Sequence, residues 1–211
     1  MKKKMTLAVL IITSVLVAAC YRPKYNDASE FEVEPAANGK SLVLSKYTGG
    51  WVMDIRVPPR INNKRVTEIG NTAFYADVGE LLKVTIPNGI TKIGEWAFSD
   101  NYLDEFTIPK TVKEIGAGAF ASNRLKRITI PNSVRKIGYR AFFENPLTSV
   151  TIGKNVELET LSGYDMDREE EWSYCAFELG YQVEFDEFYQ ANRRKAGTYT
   201  VKDGVWTYQG R

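Results

Sequence analysis

Residues 103–120 read LDEFTIPKTVKEIGAGAF, and residues 125–142 read LKRITIPNSVRKIGYRAF. Both stretches hold a leucine, an Ile-Pro pair, a valine, an Ile-Gly pair and a closing Ala-Phe, offset by 22 positions. The same order extends in both directions. Ala-Phe recurs at Ala73-Phe74, Ala97-Phe98, Ala119-Phe120, Ala141-Phe142 and Ala176-Phe177, with phenylalanine spacings of 24, 22, 22 and 35. Ile-Gly precedes four of these pairs, at Ile69-Gly70, Ile93-Gly94, Ile115-Gly116 and Ile137-Gly138. Four apolar columns keep step in between. They hold Leu81, Leu103, Leu125 and Leu147; Val84, Phe106, Ile128 and Val150; Ile86, Ile108, Ile130 and Ile152; and Ile90, Val112, Val134 and Val156.

Self-similarity at this period, with leucine and isoleucine columns, predicts a leucine-rich solenoid. One repeat buries too little apolar surface to offset the entropy of ordering it. Stacked neighbours supply the missing burial and the ladder hydrogen bonds of a parallel sheet. The strand of each coil is expected just before the proline, as in Lys83-Val84-Thr85-Ile86, because proline has no ladder donor. The glycine after isoleucine suits a tight bend. The alanine allows close approach of coils, and the phenylalanine fills the interior. The expected fold is an α/β-type repeat, mostly β: a short leucine-rich repeat solenoid of four to five coils with parallel strands on one face, capped at both ends.

These columns resemble the BspA-like bacterial surface leucine-rich repeats, over about residues 52 to 185. The resemblance implies display at the cell surface and, as in some members, adhesion to host matrix protein or to other bacteria. The last copy departs from the pattern. Leu158, Glu159 and Leu161 stand where a clean Ile-Gly would be, with an insertion near 154–172.

The start of the chain sets a compartment. Met1-Lys2-Lys3-Lys4 leads into an apolar run to Ala19 that is too short for a membrane span, the pattern of a secretion signal over 1–19. Leu16-Val17-Ala18-Ala19-Cys20 resembles the bacterial lipobox. That resemblance implies cleavage before Cys20 and acylation of its thiol, with an ordinary secretion signal as the alternative. Acylation anchors a chain to a membrane without spanning it. Tyr21 and Arg22 follow, with no aspartate beside the cysteine, which favours the outer membrane or cell surface over the inner membrane. Residues 20–30 are expected to be a lipidated tether, 31–51 an N-terminal hairpin cap, 52–184 the solenoid, and 185–211 a helix and hairpin cap. Asp203-Gly204 between β-rich runs marks that last hairpin.

Composition excludes several functions. Removing 1–19 takes three lysines and no acids, so the formal charge falls from +2 to −1. A near-neutral chain gives no electrostatic case for nucleic acid. The chain has no histidine, which removes the commonest general base and metal ligand. One cysteine besides Cys20, Cys175, builds neither a zinc site nor, with Cys20 acylated, a disulfide. No phosphate-binding loop is present. The expectation is a non-enzymatic binding protein with no cofactor and no metal.

Alternate residues of a strand face outward. The expected partner-binding face is therefore the ladder of Lys83, Thr85, Glu105, Thr107, Arg127, Thr129, Ser149 and Thr151, with Asp54 and Arg56 extending it by one coil. Its expected partner is a host or bacterial surface protein, with glycan as an alternative. The bland explanation is equally concrete: threonine suits exposed strands, and Lys83, Glu105 and Arg127 alternate in sign as stabilising neighbours do. A second candidate is the acidic insertion with Asp165, Asp167, Glu169, Glu170 and Glu171, where carboxylates offer calcium ligands but at no calcium-loop spacing. Cys175 occupies a slot held elsewhere by Thr72, Trp96, Gly118 and Arg140, a tolerant position that suits an inert thiol.

Overall fold

In the computed structural model the coils contribute strands from two places, not one, except the coil at 103–124, which has only the second. The structure describes residues 25–50, 52–75, 81–165, 170–174, 176–177, 185–203 and 205–210, with backbone alone for 161–165 and 170–174. Just before the prolines lie β3 (Asp54–Arg56), β6 (Lys83–Thr85), β9 (Arg127–Thr129) and β11 (Ser149–Ile152). The residues around the Ile-Gly pairs form β5 (Lys64–Ile69), β7 (Lys92–Ile93), β8 (Glu114–Ile115), β10 (Lys136–Ile137) and β12 (Glu157–Leu158). These five pair in parallel without a break, Ile69 beside Ile93, Ile115, Ile137 and Leu158 in turn. The sequence reading placed parallel strands on the pre-proline face; this second ladder is the longer one. The fold is a mostly β solenoid of about five turns.

The glycines explain why that ladder packs so closely. None of Gly70, Gly94, Gly116 or Gly138 has a positive φ, so a tight bend is not their reason. A β-carbon on Gly138 would sit 2.4 Å from Ala117 N. Glycine is needed there because the neighbouring coil leaves no room for a side chain. The tolerant slot is also constrained: Thr72, Trp96, Gly118 and Arg140 all have φ between 53° and 60°. That left-handed backbone costs non-glycine residues about 1–2 kcal/mol, and three of the four coils bear it.

The core is the apolar columns, all buried. Along its length the rings of Phe74, Phe98, Phe120, Phe142 and Phe177 stack at 4.7 to 5.4 Å. Tyr47 continues the stack at one end, 6.0 Å from Phe74. Each phenylalanine N–H donates to the alanine carbonyl of the next coil, as Phe98 N does to Ala119 O (2.8 Å). A buried asparagine column adds to this. The Asn123 amide donates to Phe98 O, Phe120 O and Ala121 O, and its oxygen accepts from Leu103 N. Asn101 and Asn145 repeat the pattern.

The two ends close differently. At the start, β1 (Phe31–Pro35) and β2 (Leu42–Tyr47) form an antiparallel hairpin, and β2 pairs in parallel with β5. Asn26 to Glu30 belong to this end rather than to a free tether. Asn26 N donates to Arg56 O (2.9 Å), its side-chain oxygen accepts from Arg56 N (2.8 Å), and Ala28–Glu30 is a capped 3-10 turn. Within the tether expected over 20–30, Asn26 is bound to the first coil and Glu30 to the N-terminal hairpin through Tyr47 and Thr48. At the other end, α1 (Phe185–Ala191) lies against the last coil. The buried Asp186 carboxylate accepts from Ala176 N (2.7 Å) and Phe177 N (3.2 Å). The Tyr189 hydroxyl donates to Gly153 O (2.6 Å). A final hairpin, β15 (Gly197–Lys202) and β16 (Val205–Gly210), pairs antiparallel on β11. The insertion forms its own hairpin, β13 (Leu161–Asp165) with β14 (Glu170–Tyr174).

Candidate functional site

The expected face exists, but it differs from a plain ladder in two respects. Lys83, Thr85, Glu105, Thr107, Arg127 and Thr129 are exposed, whereas Ser149 and Thr151 are half-buried. Register joins Asp54 to Lys83 and Arg56 to Thr85 on one side, and Arg127 to Ser149 and Thr129 to Thr151 on the other. Between these pairs the ladder is broken. Glu105 to Thr107 form no strand, and among the described residues no backbone hydrogen bond joins Glu105–Ile108 to either neighbouring coil. The cause is the side chain at 106. Its column otherwise holds valine or isoleucine, but the Phe106 ring wedges between Phe98 (5.1 Å) and Phe120 (4.7 Å). The larger ring holds this coil's backbone out of pairing register.

A side-chain ion pair crosses the break on one side: Lys83 Nζ lies 2.9 Å from Glu105 Oε1. The hydrogen bond to that carboxylate raises the Lys83 pKa above its usual value. On the other side a groove of about 740 Å³ opens between the coils. It is lined by Phe106, Ile108, Ile130 and Pro131, with Glu105, Lys110 and Arg127 also along it. The Ser133 hydroxyl in its wall is shut off from solvent and has no partner among the described residues.

The second departure is an extension. Ser149 and Thr151 sit beside Thr200 and Thr198 of β15, and these beside Thr207 and Gln209 of β16. Thr151 Oγ1 and Thr198 Oγ1 are 3.0 Å apart, and Thr200 Oγ1 and Thr207 Oγ1 are 2.9 Å apart. One column thus runs Thr129, Thr151, Thr198, with Thr85 and Thr107 in the corresponding positions of earlier coils. Thr198, Thr200, Thr207 and Gln209 were missed as face residues. Their alternation with Tyr199, Val201, Trp206 and Tyr208 marks a hairpin, but carries no sign that it docks on the fifth coil.

The opposite ladder has a different surface. Register aligns Glu68, Lys92, Glu114, Lys136 and Glu157, strictly alternating in sign. Lys136 Nζ also pairs with Glu159 at 2.6 Å, which raises the Lys136 pKa, with Glu157 and Glu114 adding to the effect. Each charge there has an opposite neighbour in register, and Lys136–Glu159 is the ion pair this face forms among the described residues.

The remaining candidates gain little. Cys20, Cys175, Asp167 and Glu169 lie outside the described residues. Asp165 pairs across the insertion hairpin with Glu170, and Glu171 with Tyr164. Among the described residues no three His, Cys, Asp or Glu side chains gather as a metal site, and no helix is long and apolar enough to cross a membrane.

Residues 60–162 match the model of the BspA type leucine rich repeat region, in six copies. The chain carries BspA-type leucine-rich repeats. The chain is also similar in part to solved structures. A leucine-rich repeat protein of Treponema pallidum is 24% identical over 61% of this chain and 72% of its own, with a TM-score of 0.48. One from Bacteroides capillosus is 28% identical over 53% and 86%, at 0.45. A leucine rich cell surface protein of Faecalibacterium prausnitzii is 17% identical over 72% and 61%, at 0.29. No curated protein matches the chain. BspA-type repeats are protein-interaction modules and in general non-enzymatic scaffolds.

Proposed function

We propose that this chain is a bacterial envelope lipoprotein, acylated at Cys20, whose solenoid binds a partner through its threonine face. The partner is a surface protein of a host or of another bacterium, and the role is adhesive rather than catalytic. The observation that carries this reading is the contrast between the two faces. The Ile-Gly face alternates acid and lysine in register. The threonine face presents the exposed Thr85, Thr107 and Thr129, an exposed Arg127, and a groove beside a coil whose backbone is not engaged in the ladder. Threonine hydroxyls both donate and accept, which suits a protein or glycan surface.

The first test is location. Protease added to intact cells is expected to cleave the solenoid; protection until permeabilisation overturns surface display and makes the chain a periplasm-facing assembly lipoprotein. The second is the face. Glu105→Ala with Arg127→Ala is expected to weaken a captured partner by roughly tenfold or more, the scale of two interface contacts. Unchanged affinity would remove this face from the reading.

A further inference from the structure

A second charged surface lies at the first coil. The antiparallel pair β4 (Arg60–Ile61) and β5 carries Arg60, Lys64 and Arg65, all exposed. Arg60 and Arg65 are direct cross-strand partners. Like charges so placed repel each other, and the one internal side-chain bond of the cluster is that of the Arg60 guanidinium, which donates to Asn63 O (2.7 Å) among the described residues. Among the described residues none of the three forms an ion pair. Asn62 and Asn63 turn with φ of 49° and 62°, the left-handed pair that a two-residue hairpin requires. The cations are therefore held on a short, defined tip.

The path of the chain says what this tip faces. Asn26 is pinned to Arg56 by two hydrogen bonds. Six residues separate Asn26 from Cys20, a reach of about 21 Å at most. Four separate Arg56 from Arg60, about 14 Å at most. An acyl chain on Cys20 would therefore keep the hairpin within about 35 Å of a bilayer. Arg22 and Lys24 add two cations to the same linking segment. Beside Asn26 and Arg56, Met53 is 66% exposed and Val52 is exposed as well, apolar side chains of the kind that enter a headgroup layer.

We propose that this edge of the first coil rests on an anionic, phosphate-bearing lipid surface, a second membrane signal beside the acyl anchor. The proposal builds on the lipid anchoring read above. Clusters of lysine and arginine beside an anchor bind anionic leaflets, and stable attachment takes two signals. The lipid would orient the solenoid with its first coil toward the membrane and its C-terminal hairpin away from it.

The test uses residues 21–211 without lipid, which keep every residue the structure describes. Sedimentation is compared with phosphatidylcholine vesicles alone and with about 40 mol % phosphatidylglycerol added. Binding to the anionic vesicles is expected to be roughly tenfold stronger and to fall in about 0.5 M salt. R60S/K64S/R65S is expected to bind anionic vesicles no better than neutral ones, while R60K/R65K keeps the preference because charge, not fork geometry, is at work. Thermal unfolding of each variant verifies the fold. Equal partition into both vesicles, or a folded triple variant that still prefers the anionic ones, overturns the proposal. Palmitate labelling of Cys20 in cells is read separately. Label without anionic binding removes the lipid-facing surface alone, and anionic binding without label removes the acyl anchor alone.

Discussion

At the first coil the group left over by the repeat is a carbonyl; at the last it is an N–H. Each inner phenylalanine donates forward to the next coil's alanine, so Ala73 O needs a donor from outside the repeat and Phe177 N needs an acceptor. The N-terminal end answers with backbone: Tyr47 N donates to Ala73 O (2.9 Å). The C-terminal end answers with a side chain, the Asp186 carboxylate. A solenoid thus has a direction, and its two caps solve different problems. A backbone cap survives most substitutions, whereas a carboxylate cap depends on one residue.

Asp186→Ala should therefore cost most. It leaves two buried N–H groups without acceptors, at about 1–3 kcal/mol each, so chemical denaturation should show a loss of about 4 kcal/mol. Asp186→Asn keeps one oxygen and should lose roughly half as much. The matching change at the other end, Tyr47→Phe, should cost only about 1–1.5 kcal/mol. It removes the hydroxyl's bonds to Glu30 and Gly50 O but leaves the backbone bond to Ala73 intact. Burial and the Glu30 carboxylate push the Tyr47 phenol well above its usual pKa, so it stays a donor at all ordinary pH. Equal losses from the two substitutions would break the contrast between the ends.

Phe106→Ile sharpens the contrast between the ends and the interrupted middle. It restores the column at the loss of two ring contacts, for a net change within about 1 kcal/mol. Hydrogen exchange at Thr107 and Ile108 should slow by roughly tenfold as their amides join the ladder; unchanged exchange would mean that Phe106 does not cause the break. Smallest of all is Glu105→Gln. Lys83 and Glu105 are exposed, so their pair adds little. Because the Lys83 pKa is raised, whatever the pair contributes is complete below the ordinary lysine pKa and is lost only as pH rises through the raised value. Wild-type and variant stabilities should therefore run parallel between about pH 5 and pH 9.

The repeat was legible because its apolar columns are long and in phase. Ala-Phe and Ile-Gly marked the coils, and the alternation at 31–34, 41–44, 198–201 and 205–208 marked the two hairpins. The second ladder was not legible, since two residues such as Lys92-Ile93 are too short to show a strand period. Asn101, Asn123 and Asn145 lie 22 apart, each two residues before a leucine, so the signal was present. It was hidden because asparagine is common in turns and nothing local says that its amide is buried. Asp186 gave no signal at all. Its role comes from a group nine residues away, Phe177 N, that lacks a next coil. On the face, spacing located six exposed positions, while Ser149 and Thr151 are half-buried beneath β15, and neither the break at Phe106 nor the extension through β15 and β16 follows from spacing.

The ring stack from Tyr47 to Phe177 makes the molecule editable. Each interior coil offers the same plane to the coil above and the coil below. Excising residues 103–124, one full period, would seat Phe98 directly against Phe142 and leave both caps with the partners they have now. Duplicating the same block would lengthen the rod by one step. Length is thus a quantity that recombination can change in whole units, while the ends, and whatever each end faces, stay fixed.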